Sequence, residues 1–287
     1  NLFVLNKKTR DRKIRVIKDS KTKVIFLEKY LTRKNHYSSL KNYDDFKIRK
    51  VKIKKIKTTS GYIKTDIIIN EDVRRYKLFK KVLTNKHVLD FGCGWGGLMK
   101  NIKKYKSLCG VEVREQCISY IKKNIKKINI YNNINLVKNK FDIITMFHVL
   151  EHLPNQVDTL KSLKSKLRKG GKIIIEVPHA EDFLILQNNL KEFKNFTFWS
   201  EHLILHTQRS LRKILTKSGF RNIKFQSYQR YGFANHLGWF IERQPSMGKV
   251  YNNIFNKKLQ TMYVDNLKQL GQTDTLLAVA TNPSKNK

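Results

Sequence analysis

The chain has 287 residues, 40% of them hydrophobic and 11% aromatic, with 60 Lys and Arg against 22 Asp and Glu, a net charge of +38. That apolar content excludes a disordered or collagen-like chain, and a chain this long can bury a core without disulfides. No apolar run reaches the roughly 18 residues of a membrane span, and Lys7 and Lys8 interrupt any signal-peptide core. The chain begins with Asn rather than Met, so a chain without its first residues is expected.

Cys93, Cys109 and Cys117 are too few and too scattered for a disulfide framework or a zinc ribbon. A reducing, cytoplasmic setting and no metal are expected. The charge has a bland origin to set beside a polyanionic partner. Lys, Ile and Asn number 46, 28 and 25, all residues with A/T-rich codons, whereas Arg, the usual reader of phosphates and bases, numbers 14. The charge is therefore expected to be a solvated surface first, and no specific nucleic acid is expected. An anionic small molecule is the second reading, although the run at 47–57 is dense in lysine.

Residues 1–70 read as a basic extension or cap. Val24–Leu27 and Ile67–Ile69 have strand character, Val51 and Ile53 fit an edge strand, and Tyr37–Phe46 fits a loop or short helix. From residue 71, strands and helices alternate. Glu71–Leu83 has helical apolar spacing, His87–Phe91 is a buried strand, Gly97–Tyr105 a helix, and Leu108–Val113 a second strand. Glu115–Ile128 is a helix, Ile134–Val137 a third strand and Phe141–Phe147 a fourth. Val157–Leu167 is a helix closed by Lys169-Gly170-Gly171, and Lys172–Val177 is a fifth strand. An aromatic stretch from Phe183 to Trp199 precedes a helix at Thr207–Ser218. Strands at Ile223–Tyr228 and Thr275–Ala280 enclose an insert, Tyr231–Leu270, helical around Tyr251–Leu267, and should form a final antiparallel pair. Such alternation predicts an α/β, Rossmann-like fold, with a seven-stranded mostly parallel sheet and helices on both faces. It occupies 71–287, beside a small basic N-terminal region and a C-terminal insert; 181–205 and 231–270 are the expected acceptor-side segments.

The turn after the first of these strands reads Val88-Leu89-Asp90-Phe91-Gly92-Cys93-Gly94-Trp95-Gly96-Gly97. Gly92 and Gly94 can take φ > 0 and let the backbone approach a ligand, and Gly92, Gly94 and Gly97 fit the spacing used for dinucleotides. Asp90, however, would repel a pyrophosphate but suits a cationic or amino group. Glu112, closing the second strand, can take both ribose hydroxyls. Together they point to a nucleoside carrying an amino acid, which disfavours a nicotinamide dehydrogenase.

These segments resemble the class I S-adenosylmethionine-dependent methyltransferases, over about residues 70–230. Val88–Gly97 is similar to that family's first motif, and Gly110-Val111-Glu112 to its ribose-binding strand end. FDIITMFHVLEHL (141–153) and LRKGGKIIIEV (167–177) are similar to its fourth and fifth strands, the former in the branch with a V-L-E-H-L signature. The resemblance implies that S-adenosyl-L-methionine is the cofactor. Asp90, Gly92 and Gly94 would meet its methionine part, Glu112 its ribose, and Met146, Phe147 and His148 would lie beside it. The acid that follows the third strand in the family is missing from Ile134–Lys140, where Asn135 or Asn139 offers an amide instead. The zinc-binding cysteines of some members are missing too.

His148, Glu151 and His152 follow the C-terminal end of the fourth strand, where ligands bind in open α/β sheets. H-x-x-E-H matches an inverzincin string, but Pro154 ends the element too early for a protease helix. Glu151 and His152 read as a loop-fixing pair. His148 is the base expected to take a proton from a hydroxyl, with His179 and His202 as further catalytic candidates. His202 or His206, with Thr207, resembles the His and Thr that precede a capped helix in that branch, and His236 and Trp239 are acceptor-side candidates. The expected reaction is O-methylation of a small, sugar-containing or anionic acceptor. A nucleic-acid methyltransferase and a non-enzymatic binding protein on the same fold are the rivals.

Overall fold

The computed structural model describes residues 1–30, 54–58, 61–65, 70–245, 251 and 255–284, with backbone alone at 54–58, 61–65 and 70. The predicted strand at Ile67–Ile69, the edge residues Val51 and Ile53, and Tyr37–Phe46 lie outside the described residues. The described strands form sheets of four, seven and two. The seven-stranded sheet runs β12 (Arg221–Tyr228), β13 (Thr275–Thr281), β10 (Leu167–Pro178), β9 (Phe141–Phe147), β6 (His87–Phe91), β7 (Ser107–Val111), β8 (Asn129–Tyr131). Strand β6 pairs in parallel with β7 and β9, β7 with β8, and the final β12–β13–β10 pairs are antiparallel, as expected. The chain divides into two compact units. One comprises 33–145 and 166–171, the other 1–32, 146–165 and 172–287.

In the first unit, α1 (Asn70–Leu83) begins with Glu71 and Asp72 and ends with Lys80 and Lys81, charges that suit its dipole. Val88 and Leu89 of β6 are fully buried. The strand opens into the glycine turn, where Gly92, Gly94 and Gly96 have φ of 73°, 54° and 74°, left-handed values that glycine adopts without strain. Gly96 caps α2 (Gly97–Asn101), which stops at an extended Ile102, four residues short of the predicted end. Helix α3 (Glu115–Asn124) buries Cys117 and Ile121. The backbone of 54–58 and 61–65 forms an antiparallel hairpin, β4–β5.

The third strand is a correction. It lies at Asn129–Tyr131, in register Gly110↔Ile130 with β7. Ile134–Leu136 is instead a 3-10 turn capped by the Asn133 side chain. A short apolar run carries no clear period, and Leu136 is 55% exposed. The residues after this strand are Asn132 and Asn133, so the expected acid is missing here as well.

In the second unit, α4 (Gln156–Lys166) leads into β10, which starts at Leu167 rather than Lys172; the glycine pair lies within its first residues, Gly170 at φ 74°. Strands β1 (Leu2–Asn6), β2 (Val16–Asp19) and β3 (Ile25–Leu27) form a sheet with β11 (Ile204–Leu205). The N-terminal residues are thus paired to the segment expected on the acceptor side. Ile14, Val16, Ile25 and Leu27 pack with Leu184 and Ile185 of α5 (Phe183–Leu186), Phe193 of α6 (Lys191–Thr197) and Trp239 of α8 (Phe233–Glu242). The aromatic stretch 183–199 holds two short helices, whose apolar side chains face this core. Helix α7 (Gln208–Lys217) starts with a Thr207–Ser210 capping box. Helix α9 (Lys257–Gln269) begins six residues later than the predicted insert helix, at an Asn256 cap. Among the described residues, no helix is long and apolar enough to cross a membrane.

Candidate active site

The glycine turn and its two carboxylates lie in the first unit. Asp90 is 4% exposed, and its Oδ1 accepts a 2.7 Å hydrogen bond from Thr145 Oγ1, the residue opposite it on β9. Burial pushes its carboxyl up to about 7 despite that bond; the negative charges of Asp72 and Glu112 add to the shift, and Arg75 opposes it. A buried carboxylate beside two others is a place where a ligand cation would be favourable.

Glu112 is also 4% exposed. Its Oε2 accepts from Gly94 N at 2.8 Å, its Oε1 from Val113 N at 3.0 Å and Arg114 N at 3.1 Å, and the Arg114 guanidinium donates to both oxygens at 3.0 and 3.1 Å. The bond to Gly94 ties the carboxylate to the glycine loop. The loop has little room for side chains: a Cβ on Gly96 would lie 2.5 Å from Ile125 Cδ1, and one on Gly97 would lie 1.8 Å from Asp72 Oδ2. Asp72, missed in the sequence, is therefore a third carboxylate against the start of α2. These donors and acids fit a cationic amino-acid nucleoside.

Strand β9 runs beside β6 in the register Asp90↔Thr145, and Met146, Phe147 and His148 follow Thr145 in the chain. Met146 has no exposed surface and Phe147 is 9% exposed.

The histidine loop lies in the second unit. His148 has φ 52°, a left-handed conformation strained for a residue with a Cβ. Its Nδ1 is 3.0 Å from Glu151 Oε1, and its Nε2 is 3.2 Å from Glu176 Oε1; both carboxylates have no exposed surface. Burial alone would lower its pKa, but the hydrogen bonds of the two glutamates outweigh that and raise it. Burial likewise favours neutral Glu151, yet the His148 hydrogen bond and charge bring its carboxyl down to about 2. The loop thus holds the His148 ring between two buried carboxylates. Glu151 pairs with His148 rather than with His152, whose Nε2 is 4.0 Å away. Glu176 was missed, although an acid inside the apolar run Lys172–Val177 was the available signal.

His202 is partly exposed. Burial, and then the neighbouring His152, push it down to about 3, so the ring is neutral. Its ring centroid is 5.0 Å from that of His152. Glu151, His152 and His202 each bring one ligand atom within 4.8 Å of the others, a set able to hold a metal ion, although Glu151 is already balanced by His148. His179 is 3% exposed; its Nδ1 donates to Thr273 O at 2.9 Å and its Nε2 has no hydrogen bond.

The remaining acceptor-side candidates are structural. His206 bonds Ser210 Oγ and Gln156 Oε1, and Thr207 caps α7. Trp239 is 3% exposed against Phe193 and Phe196. His236 is 1% exposed, bonds Tyr263 Oη at 2.8 Å and is pushed by burial to about 4. The physical reason is shared: each of these side chains fills the core or a cap and leaves no face for a ligand.

Comparison with known proteins agrees with this geometry. A methyltransferase-domain family matches residues 69–224, more than half of the chain. The ubiquinone biosynthesis O-methyltransferase of Coxiella burnetii is 32% identical over 125 residues, covering 40% of this chain and 53% of its own. The tRNA U34 carboxymethyltransferase of Nautilia profundicola is 28% identical over 192 residues, covering 62% and 60%. The chain thus spans about half the length of the first of these relatives. Among solved structures, the methyltransferase of the Haloferax volcanii Trm112 activator complex superposes with a TM-score of 0.50 at 12% identity, covering 76% of this chain and 94% of its own, a likeness of fold alone. The chain belongs to the methyltransferase-domain family, an α/β enzyme fold whose cofactor is S-adenosylmethionine.

Proposed function

We propose that this chain transfers a methyl group from S-adenosylmethionine to a hydroxyl of a small molecule, a sugar-containing metabolite being the acceptor class. The observation that carries the reading is the glycine loop with its buried acids: Gly94 N and Glu112 are joined, and Asp90 lies under the same turn. In this reading Asp90 holds the cationic amino-acid end and Glu112 the ribose. The cofactor supplies a methyl group on a sulfonium, already activated, so the protein's work is alignment and exclusion of water.

The acceptor proton needs a neutral base. His148 does not suit that role, because each ring nitrogen faces a carboxylate. His202, kept neutral, is the base we assign, and His148 positions the loop through its contacts with Glu151 and Glu176. His179 is the third candidate, its Nε2 lone pair set by the proton that Nδ1 gives to Thr273. The test is isothermal titration with the cofactor for Asp90→Ala and Glu112→Ala, followed by methyl uptake into hydroxylated acceptors. Unchanged cofactor affinity in both variants would end the assignment.

The net charge of +38 and the likeness to a tRNA-modifying enzyme favour a second reading, an RNA acceptor. It requires sequence- or structure-dependent RNA binding that survives 0.2 M salt, which lysine stickiness alone does not give.

A further inference from the structure

The histidine loop holds a second arrangement besides the His148 pair. Leu150–His152 form a single 3-10 turn, and Glu151 O accepts from Leu203 N at 2.8 Å, which brings His202 beside that turn. Glu151, His152 and His202 thereby place one ligand atom each within 4.8 Å of the others. Four-coordinate zinc, with ligands at about 2.0–2.2 Å, spaces them about 3.4 Å apart, so small rotations of the two rings close the set. Three further observations point to a cation. Glu151 gives Oε1 to His148, but its Oε2 is buried and has no hydrogen bond. The His152 Nδ1 lies 3.0 Å from Glu201 O, which can only accept, so Nδ1 carries the proton and Nε2 keeps a lone pair, 4.0 Å from Glu151 Oε1. Metal-ligating histidines are typically oriented by such a bond. Glu151 and Glu176 have no exposed surface and share the ring of His148, which balances at most one of their two negative charges. Arg230, the other cation that acts on His148, is paired with Asp274 at 3.3 Å. The rings of His152 and His202 are partly exposed, so an ion can reach them from solvent.

We infer that Glu151, His152 and His202 form a zinc-binding site, and that zinc there occupies the His202 lone pair and stops methyl transfer. Two imidazoles and one carboxylate suit zinc, whereas magnesium and calcium prefer oxygen ligands. The ion coordinates the nitrogen that would take the acceptor's proton, so zinc is an inhibitor and turnover itself needs no metal. The inhibition rests on the proposed assignment of His202 as base; the zinc site does not.

The test begins with calorimetric titration of the EDTA-treated, dialysed full chain with zinc chloride. The variants are His152→Ala, His202→Gln as a second ligand deletion, and His87→Gln, a half-buried histidine of the other unit, as a control for scattered histidines. The parent and the control should bind one zinc per chain with equal affinity, and each ligand variant should bind at least tenfold more weakly. No zinc binding by the parent, parental affinity in both ligand variants, or an equal loss in the control overturns the site. Displacement of zinc by equimolar magnesium overturns the choice of metal. Diethyl pyrocarbonate acylates neutral imidazoles, and peptide mass mapping then reads His202 without any methyl acceptor. Zinc should slow that acylation at least fivefold in the parent and not in His152→Ala; equal acylation with and without zinc overturns the role given to the lone pair. Methyl uptake into the hydroxylated acceptors should fall at least tenfold when zinc saturates the parent, and an unchanged or raised rate overturns the inhibition. Cofactor affinity is read in the same samples. Its loss tells against the methyltransferase reading, whereas intact cofactor binding assigns a failed zinc titration to this site alone.

Discussion

Affinity for S-adenosylmethionine should fall as pH drops through about 7. Asp90 has its carboxyl raised from 3.8 to about 7, chiefly by burial and then by Asp72 and Glu112, so in the free protein it gains a proton near neutrality. A cationic ligand favours the ionised form, and its binding must therefore expel that proton. The sign follows: acid favours the neutral carboxyl and opposes the ligand. Restoration of an ordinary pKa would be worth about 4 kcal/mol at most, at 1.36 kcal/mol per unit. Between pH 7.5 and 5.5, a range below the roughly 7.7–8.0 of an α-amino group, the expected weakening is roughly 20- to 30-fold. Titration calorimetry at each half unit of pH measures it, with Asp90→Asn as the comparison. The variant should bind weakly and without the slope. A parent affinity constant within twofold across the range, or the same slope in the Asn variant, refutes the reasoning.

Other substitutions have direct outcomes. Gly96→Ala forces a side chain into a left-handed residue and onto Ile125, and should cost about 1–2 kcal/mol in urea unfolding. His148→Ala leaves two buried carboxylates without their cation and should destabilise by about 3–5 kcal/mol, more than any effect on cofactor affinity. The Glu151 carboxyl, at about 2 against 4.5, contributes stability that is present above 4.5 and lost as pH falls through 2; Glu151→Gln should flatten that acid limb of the melting curve. His202→Ala should lower kcat with little change in cofactor affinity. Chelation with EDTA should leave turnover unchanged, because Glu151 already has its counter-charge; a metal-dependent rate would reverse that assignment.

The strands that flank the glycine loop were legible because buried parallel strands leave continuous apolar runs between turn residues: His87–Phe91 and Phe141–Phe147 coincide with the runs that define them. The Asp90–glycine–Glu112 constellation was legible for the same reason, since position along adjacent strands fixes which side chains reach the loop. The third strand was not, because three residues, Asn129–Tyr131, are held by the β7 ladder and not by their own pattern. The pairing of His148 with Glu176 was also hidden. The two are 28 residues apart, and only the sheet brings them to 3.2 Å. Of the N-terminal strands only Val24–Leu27 was legible; Leu2–Asn6 and Val16–Asp19 were not, and the union of the sheet with Ile204–Leu205 depends on pairing across most of the chain.

The Arg114–Glu112 pair has a consequence for what else can occupy the loop. With five protein donors already on its two oxygens, the acid is a poor anchor for stray metal ions or polyamines, which would have to evict a tethered guanidinium first. On the proposed reading, a ribose diol would have to trade places with that side chain, which stays tethered two residues away. The resident cation thus screens visitors by chemistry before any of them is bound.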